Sequence, residues 1–280
     1  MFEHFIITRF NLRKEEWQTN KNNIDVLTDE WHRNRFKLFT EFCVPCIANQ
    51  TNKNFTWLVY FDSSTKQEFR TIISEIAAQL PNFKPFYIEG MPAFLPEIEK
   101  EISKCKTEYI ITSRLDNDDC TANNYVESIQ NKFNNQDFLA LDFIKGYTLQ
   151  ISPSYRLGNR LQLFNPFLSL IEKNEKPITI WNSKKHGDWK RVKKLKQIKD
   201  EYIWASIIHY ENKTNRFRGF GKVNLELFLE TFNFSEDIKK TIRIELEPNN
   251  KWRVISFKNK FNSIWKYYYK KIKRKIRFYD

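Results

Sequence analysis

EYIITSRLDNDD (108–119) runs from an apolar, β-branched segment straight into an acidic turn. The first half has the composition of a buried strand. The second half places three carboxylates, Asp116, Asp118 and Asp119, within four positions of its end. Like charges this close disfavour one another's ionised form unless a cation is present. Mg²⁺ or Mn²⁺ relieves the repulsion, since a hard divalent ion takes oxygen ligands and binds through one or two carboxylates, with phosphate oxygens completing its shell. Arg114, just ahead of the turn, suits a carboxylate or a phosphate. An Asp-x-Asp turn alone is also what a solvated loop or a helix cap looks like, so its context decides.

Outward from the turn, strand-like and helix-like stretches alternate. HFIITRF (4–10), NFTWLVYFD (54–62) and FKPFYIEG (83–90) are strand-like. Residues 29–48 space Trp31, Phe36, Phe39 and Phe42 as a helix does, 66–80 is an amphipathic helix stopped at Pro81, and 96–105 and 122–133 are helical. This alternation predicts an α/β fold, a mostly parallel sheet with helices on both faces. Ligands of such sheets sit at the carboxyl ends of the strands, where Thr8, Arg9, Asp62 and Arg114–Asp119 fall. Further on, 142–152 is expected to be a strand pair, and 160–173 extended and then helical after Asn165-Pro166. Residues 183–196 are expected to form a basic loop, 200–221 a short apolar element followed by a polar turn, and 222–248 amphipathic helix. No repeat or linker is visible, which predicts one domain over 1–250 and a helical extension over 251–280.

Hydrophobic residues make up 41% of the 280-residue chain and aromatics 16%, enough for a full core. MFEHFIITRF lacks the basic start of a secretion signal, and no run approaches the ~20 apolar residues of a membrane span, so a cytoplasmic protein is expected. Cys43, Cys46, Cys105 and Cys120 then stay reduced. Cys43-x-x-Cys46 has no second ligand pair for zinc and reads as two small buried hydrophobes. The net charge is +13, and residues 251–280 carry eleven Lys or Arg against Asp280 alone, so ten of those charges sit in the tail.

HFIITRFNLR, FCVPCIANQTNKNFTWLVYFD, ITSRLDNDD, NPFLSLIE and WASIIHYENKTNRFRG, in this order, resemble the putative rhamnosyltransferase family, a group of bacterial glycosyltransferases. The resemblance covers most of residues 1–221, and RLDNDD and the WLVYFD strand are its most specific parts. It implies a GT-A-like, Rossmann-type fold, a nucleotide-sugar donor (rhamnose being the sugar of the family name) and Mn²⁺ or Mg²⁺. Carried onto this chain, Asp116 and Asp118 match the metal and diphosphate motif, with Asn117 between them. His209 matches a distal metal ligand, Asp62 an acid beside the nucleoside, and Thr8 and Arg9 a loop beside the base. Tyr210-Glu211 departs from the small residues expected after the His.

Arg216 and Arg218 are placed to neutralise a leaving diphosphate. An inverting transfer needs a carboxylate base, for which Glu172, included in the resemblance, comes first and Asp188 and Asp200 stand as alternatives. Residues 257–277 mix aromatics with cations and contain no acid; Phe257, Phe261, Ile264, Trp265, Tyr268, Ile272 and Ile276 fall near one helical face. Such a helix suits an anionic membrane surface. The expected enzyme therefore moves a sugar to a saccharide or lipid-linked acceptor, peripheral to the inner face of a membrane. A non-catalytic sugar-binding scaffold or a metal-dependent nuclease or phosphotransferase is the alternative. Since the body is nearly neutral and lacks a nucleic-acid motif, no nucleic-acid partner is expected.

Overall fold

The computed structural model describes residues 1–16, 19, 25–182, 186–212 and 215–279. The N-terminal half follows the alternating pattern. Strands β1 (Phe2–Arg9), β2 (Thr56–Asp62), β3 (Phe83–Ile88) and β4 (Tyr109–Arg114) lie parallel in the order β3-β2-β1-β4. Between them run α1 (Asp29–Leu38), α2 (Val44–Ala48), α3 (Gln67–Gln79) and α4 (Phe94–Ile102), with α5 (Tyr125–Gln130) after the acidic turn. Thr28 caps α1, its hydroxyl accepting from the Trp31 N–H. A wide π turn over Phe39–Cys43 joins α1 to α2; it lies just before Pro45, which has no N–H for the helical ladder.

The strands are buried on both faces, with side chains alternating between two cores. Ile6, Val59 and Ile111 pack on one side with Phe36 of α1 and Phe69 of α3. Ile7, Leu58 and Ile110 pack on the other with Phe94 and Ile98 of α4. Cys43 and Cys46 are buried in the first core, and all four cysteines are free thiols.

The second half adds antiparallel pairs to the parallel sheet. β8 (Ser169–Lys173) runs antiparallel to β4, β6 (Phe138–Gln150) antiparallel to β8, and β9 (Leu195–Ile208) parallel to β6. β5 (Cys120–Thr121) pairs antiparallel with β9, and β7 (Arg156–Leu161) with β6. All nine strands form one mixed sheet.

Two local expectations change with it. Residues 142–152 are no strand pair but the larger part of the single strand β6. Its Gly146 is needed for contact rather than for turning, since a Cβ there would meet the Trp204 ring at 2.3 Å. The stretch after Asn165-Pro166 is strand β8 instead of helix. Phe164 takes a left-handed φ of 55°, and Asn165 Nδ2 donates to Asp142 Oδ1 at 2.9 Å and to the Phe143 carbonyl at 2.8 Å. That turn returns the chain to the sheet.

Of the basic stretch, residues 183–185 lie outside the described residues; a 3₁₀ turn at His186–Arg191 and the start of β9 follow. Residues 222–248 form α6 (Leu225–Phe232) and α7 (Glu236–Glu245), broken at Asn233, whose φ is 49°. The chain ends in α8 (Arg253–Tyr279). Among the described residues no helix is long and apolar enough to cross a membrane.

Candidate active site

The acidic turn lies at the carboxyl end of β4 and is tied to the end of β9. The Ile207 N–H donates to Asp119 Oδ1 at 3.1 Å, and β5, directly after the turn, pairs with β9 through Cys120 and Thr121. His209, the first residue after β9, is thereby brought against Asp118. Burial, with Asp118 and Asp116 nearby, pushes the Asp119 carboxyl well above its ordinary range and toward its neutral form.

Asp118 Oδ2 receives Arg35 Nη1 at 2.7 Å and Asn212 Nδ2 at 3.2 Å, and lies 3.0 Å from His209 Nε2. Burial favours the protonated acid, but the Arg35 guanidinium and His209 together outweigh it and hold Asp118 below the usual carboxylate range. The Asn212 Oδ1 accepts from the His209 backbone N–H at 2.8 Å, which turns its Nδ2 toward both Asp118 and His209 Nε2, 2.8 Å away. Nε2 thus lies between the Asn212 amide and the Asp118 carboxylate.

That pair of donors fits a hard cation. Two adjacent ligands of an octahedral ion with bonds of about 2.1 Å are about 3.0 Å apart, the separation found between Asp118 and His209. Among the described residues no third His, Cys, Asp or Glu completes a cage, so the rest of a shell has to come from substrate and water. Asp116 is partly exposed on the same turn, 3.3 Å from Arg114 Nη2.

Arg114 and Arg9 share an aromatic platform. Their guanidinium carbons lie 4.1 and 5.3 Å from the Trp181 ring centre, and Trp181 Nε1 donates to the Ile7 carbonyl at 3.1 Å. Desolvation pulls Arg9 below its ordinary value, and Asp116 opposes this. Arg9 and Trp181 also wall a cavity of about 1410 Å³ that Arg13, Glu89, Met91 and Phe94 help to line. Asp116 and Asp118 are not part of its lining; Arg9, which feels the Asp116 charge, links the cavity to the turn.

Other residues singled out from sequence are placed differently. Thr8 is fully buried and accepts from Trp57 Nε1 at 3.0 Å, which makes it part of the core. Asn117 donates to the Phe10 carbonyl at 3.0 Å and accepts from Arg35 at 3.2 Å, so it braces the turn. The Asp62 carboxylate is taken up by Arg13 Nε at 2.7 Å, the Arg13 N–H at 2.9 Å and Ser64, and it reaches the cavity through Arg13. Arg216 and Arg218 are exposed, and Arg218 acts on Lys266 of α8 rather than on the acidic turn.

The three candidate bases separate. Glu172 is a buried strand residue opposite Ile110, toward the amino end of β4, and accepts the Ile178 and Thr179 N–H groups at 2.8 and 2.9 Å. Asp200 is exposed on β9, nine residues before His209, roughly 30 Å of extended chain. Asp188 lies on the 3₁₀ turn that carries His186, and His186 feels the charges of Arg114 and Asp116. Of the three it is the one two positions from a residue within electrostatic reach of Asp116.

Arg35 and Asn212 were not singled out from sequence. Arg35 had a signal, a lone cation four residues after Trp31 on an otherwise apolar helical face; its guanidinium sits 5.0 Å from the Trp31 ring. Asn212 had only its spacing of three from His209.

Among solved structures the chain is similar to S. aureus TarS 1–349, at 13% identity over 73% of this chain and 60% of that one, with a TM-score of 0.42. It is similar to the same TarS fragment in complex with UDP, at 13% identity over 86% and 69%, with a TM-score of 0.43. HddC from Yersinia pseudotuberculosis gives 7% identity over 74% and 90%, with a TM-score of 0.38. The chain thus spans 60% of the TarS fragment first compared, and likenesses this distant carry no argument about the site. No curated protein matches. The model of the family described as "Putative rhamnosyl transferase" matches residues 3–220, from β1 through the His209 segment. The chain therefore belongs to that family.

Proposed function

We propose that the chain transfers a sugar, rhamnose first among the candidates, from a nucleoside-diphosphate donor to a hydroxyl of a saccharide or lipid-linked acceptor, with inversion. The observation that carries this is the meeting of Asp118, His209 and Arg35 at the end of β4, beside a cavity walled by Arg9 and Trp181. A cavity of that size accommodates a nucleoside and its sugar. Arg9 and Arg114, fixed against Trp181, face the diphosphate. Asp118 and His209, with Asp116 on the same turn, hold Mn²⁺ or Mg²⁺. That ion, when bound, offsets the negative charge that grows on the leaving diphosphate.

In the transfer, the bond between the anomeric carbon and the diphosphate oxygen breaks and its electron pair leaves with the diphosphate. The acceptor oxygen forms the new bond from the opposite face. Asp188 takes the acceptor's proton. Arg9 and Arg114 stay in place throughout, so no reorganisation is needed as the charge develops.

The test is a thermal-shift screen of UDP, GDP, dTDP and their sugars, with and without Mn²⁺, followed by donor hydrolysis with the ligand that binds. A nucleotide that binds only the folded protein raises its melting temperature by mass action. A Mn²⁺-dependent rise with one nucleoside diphosphate, and slow release of that diphosphate from its sugar, is expected. A rise with oligonucleotides and none with nucleotides overturns the proposal.

A further inference from the structure

Helix α8 has two opposite faces. Ser256, Asn259, Ser263, Tyr267, Lys270 and Arg274 recur every three or four residues and are buried or half-buried, forming one side of a helix with 3.6 residues per turn. This side is docked on the domain. Ser256 Oγ accepts from the Gly221 N–H at 2.9 Å, Asn259 Nδ2 donates to the Gly219 carbonyl at 3.0 Å, and Lys270 Nζ donates to the Leu163 carbonyl at 3.0 Å. Arg274 reaches the Lys190 and Lys193 carbonyls, both at 3.1 Å.

The opposite side carries Phe257, Phe261, Trp265, Tyr268, Ile272 and Ile276, all at least 57% exposed. A continuous apolar stripe of this length is unusual on a free surface. Its flanks are cationic. Lys260, Lys271 and Lys275 lie along one edge and Lys258, Lys266 and Lys273 along the other, and α8 contains no acid. Behind the second edge, repulsion from Arg218, with partial burial and then Arg160, pulls the Lys266 ammonium below the ordinary range. Any anion placed there relieves that repulsion.

We propose that the outward face of α8 docks on an anionic lipid bilayer, with the aromatics at the level of the headgroups and the lysines on lipid phosphates. Charge decides between a bilayer and a second copy of the chain. Two α8 stripes packed on each other bring lysine edges together with no acid between them, whereas a bilayer containing phosphatidylglycerol supplies the counter-charge. Docking also has a consequence for the site. Arg274 holds the Lys190 and Lys193 carbonyls at the far end of the turn that carries His186 and Asp188, so a protein seated through α8 holds its acceptor side close to the lipid surface.

The full-length chain is to be floated with vesicles of phosphatidylcholine alone and of phosphatidylcholine with phosphatidylglycerol. Binding to the anionic vesicles is expected to exceed binding to the neutral ones by at least about tenfold, and to fall as salt rises. Phe261→Ser with Trp265→Ser, and separately Lys271→Glu with Lys275→Glu, should each lower it by about tenfold or more. Ile244→Ser, at an exposed apolar position on α7, should leave it unchanged. Donor hydrolysis is measured alongside and should be the same in all variants, which keeps a failure of this proposal separate from a failure of the donor-site reading. Wild-type protein that stays with neither vesicle overturns the proposal, as does equal binding to both. So does a dimer in sedimentation that the Phe261/Trp265 substitutions split.

Discussion

Arg35 Nη1 lies 2.7 Å from Asp118 Oδ2, with 8% and 13% of the two side chains exposed. Helix α1 therefore supplies the second acid of the turn with a fixed counter-charge. The crowding of carboxylates that suggests a divalent ion in the sequence is relieved within the protein. Arg35 takes Asp118, Arg114 takes Asp116, and burial moves Asp119 toward its neutral form. An ion held at Asp118 and His209, as proposed, would serve the substrate's phosphates rather than the fold.

Arg35→Met tests that division. Removing one member of a buried pair strands the other charge, at a cost of about 3–5 kcal/mol. Urea denaturation should show a loss of this size, and nucleotide binding should fall with it. Asp118→Ala strands the guanidinium in the same way, so it too should lower the melting temperature. A variant at either position that unfolds like wild type would show that the pair is open in solution.

Asp118→Asn keeps the shape of the turn and removes the charge that faces His209. Turnover is expected to drop by about 100-fold or more, on the scale of losing a directed electrostatic contact in a transition state, and excess Mn²⁺ should not restore it. His209→Ala should chiefly raise the Mn²⁺ concentration needed for half-maximal activity. Recovery of Asp118→Asn at high Mn²⁺ would move the essential contact elsewhere on the turn.

Asp188→Asn should lower kcat by about 10²–10⁴-fold, the usual contribution of a general base, with donor binding unchanged. Glu172→Gln and Asp200→Asn should leave kcat within a fewfold, because neither carboxylate faces the turn. A severe kcat loss in Glu172→Gln with normal folding would reinstate it as the base.

The parallel half of the sheet was legible because each element announces its own period. Ile6/Ile7 and Leu58/Val59 alternate between two cores, and Trp31, Phe36, Phe39 and Phe42 repeat as a helix does. Beyond Asp119 the decisive contacts are long-range. RLQLFNPFLSLIEK fits a helical and an extended period over so few residues that only the bond from Asn165 to Asp142, 23 positions earlier, makes it a turn and a strand. Residues 142–152 read as a strand pair, and only the Trp204 ring against Gly146 shows why a glycine stands inside a single strand. At the site, Asp116, Asp118 and His209 could be picked out by type and spacing. Thr8 and Asn117 could not be told from ligands, since a buried hydroxyl or amide that serves the core looks the same in sequence as one that serves a substrate.

The buried carboxyl of Glu172 leaves a mark on stability instead. Desolvation pushes it up to about 7, against backbone N–H bonds that pull it down, and Asp142 is likewise pushed up to about 7. Between roughly pH 4.5 and 7 the folded protein holds protons that the unfolded chain has released, so these two groups make folding less favourable as pH rises through that window. Above pH 7 the full cost remains, and below about 4.5 it is gone. His4, held neutral by burial and pulled down to about 3, slopes the other way between about pH 6.5 and 3, so the total profile is a compromise. The difference between wild type and Glu172→Gln removes that background. An amide is neutral at every pH and resembles the protonated acid in shape. Relative to wild type, the variant should therefore be more stable at pH 8 than at pH 4.5 by about 2–3 kcal/mol, from a shift of the size cited. Paired urea titrations at the two pH values measure this, and parallel profiles would place the Glu172 carboxylate, contrary to its burial, in contact with solvent.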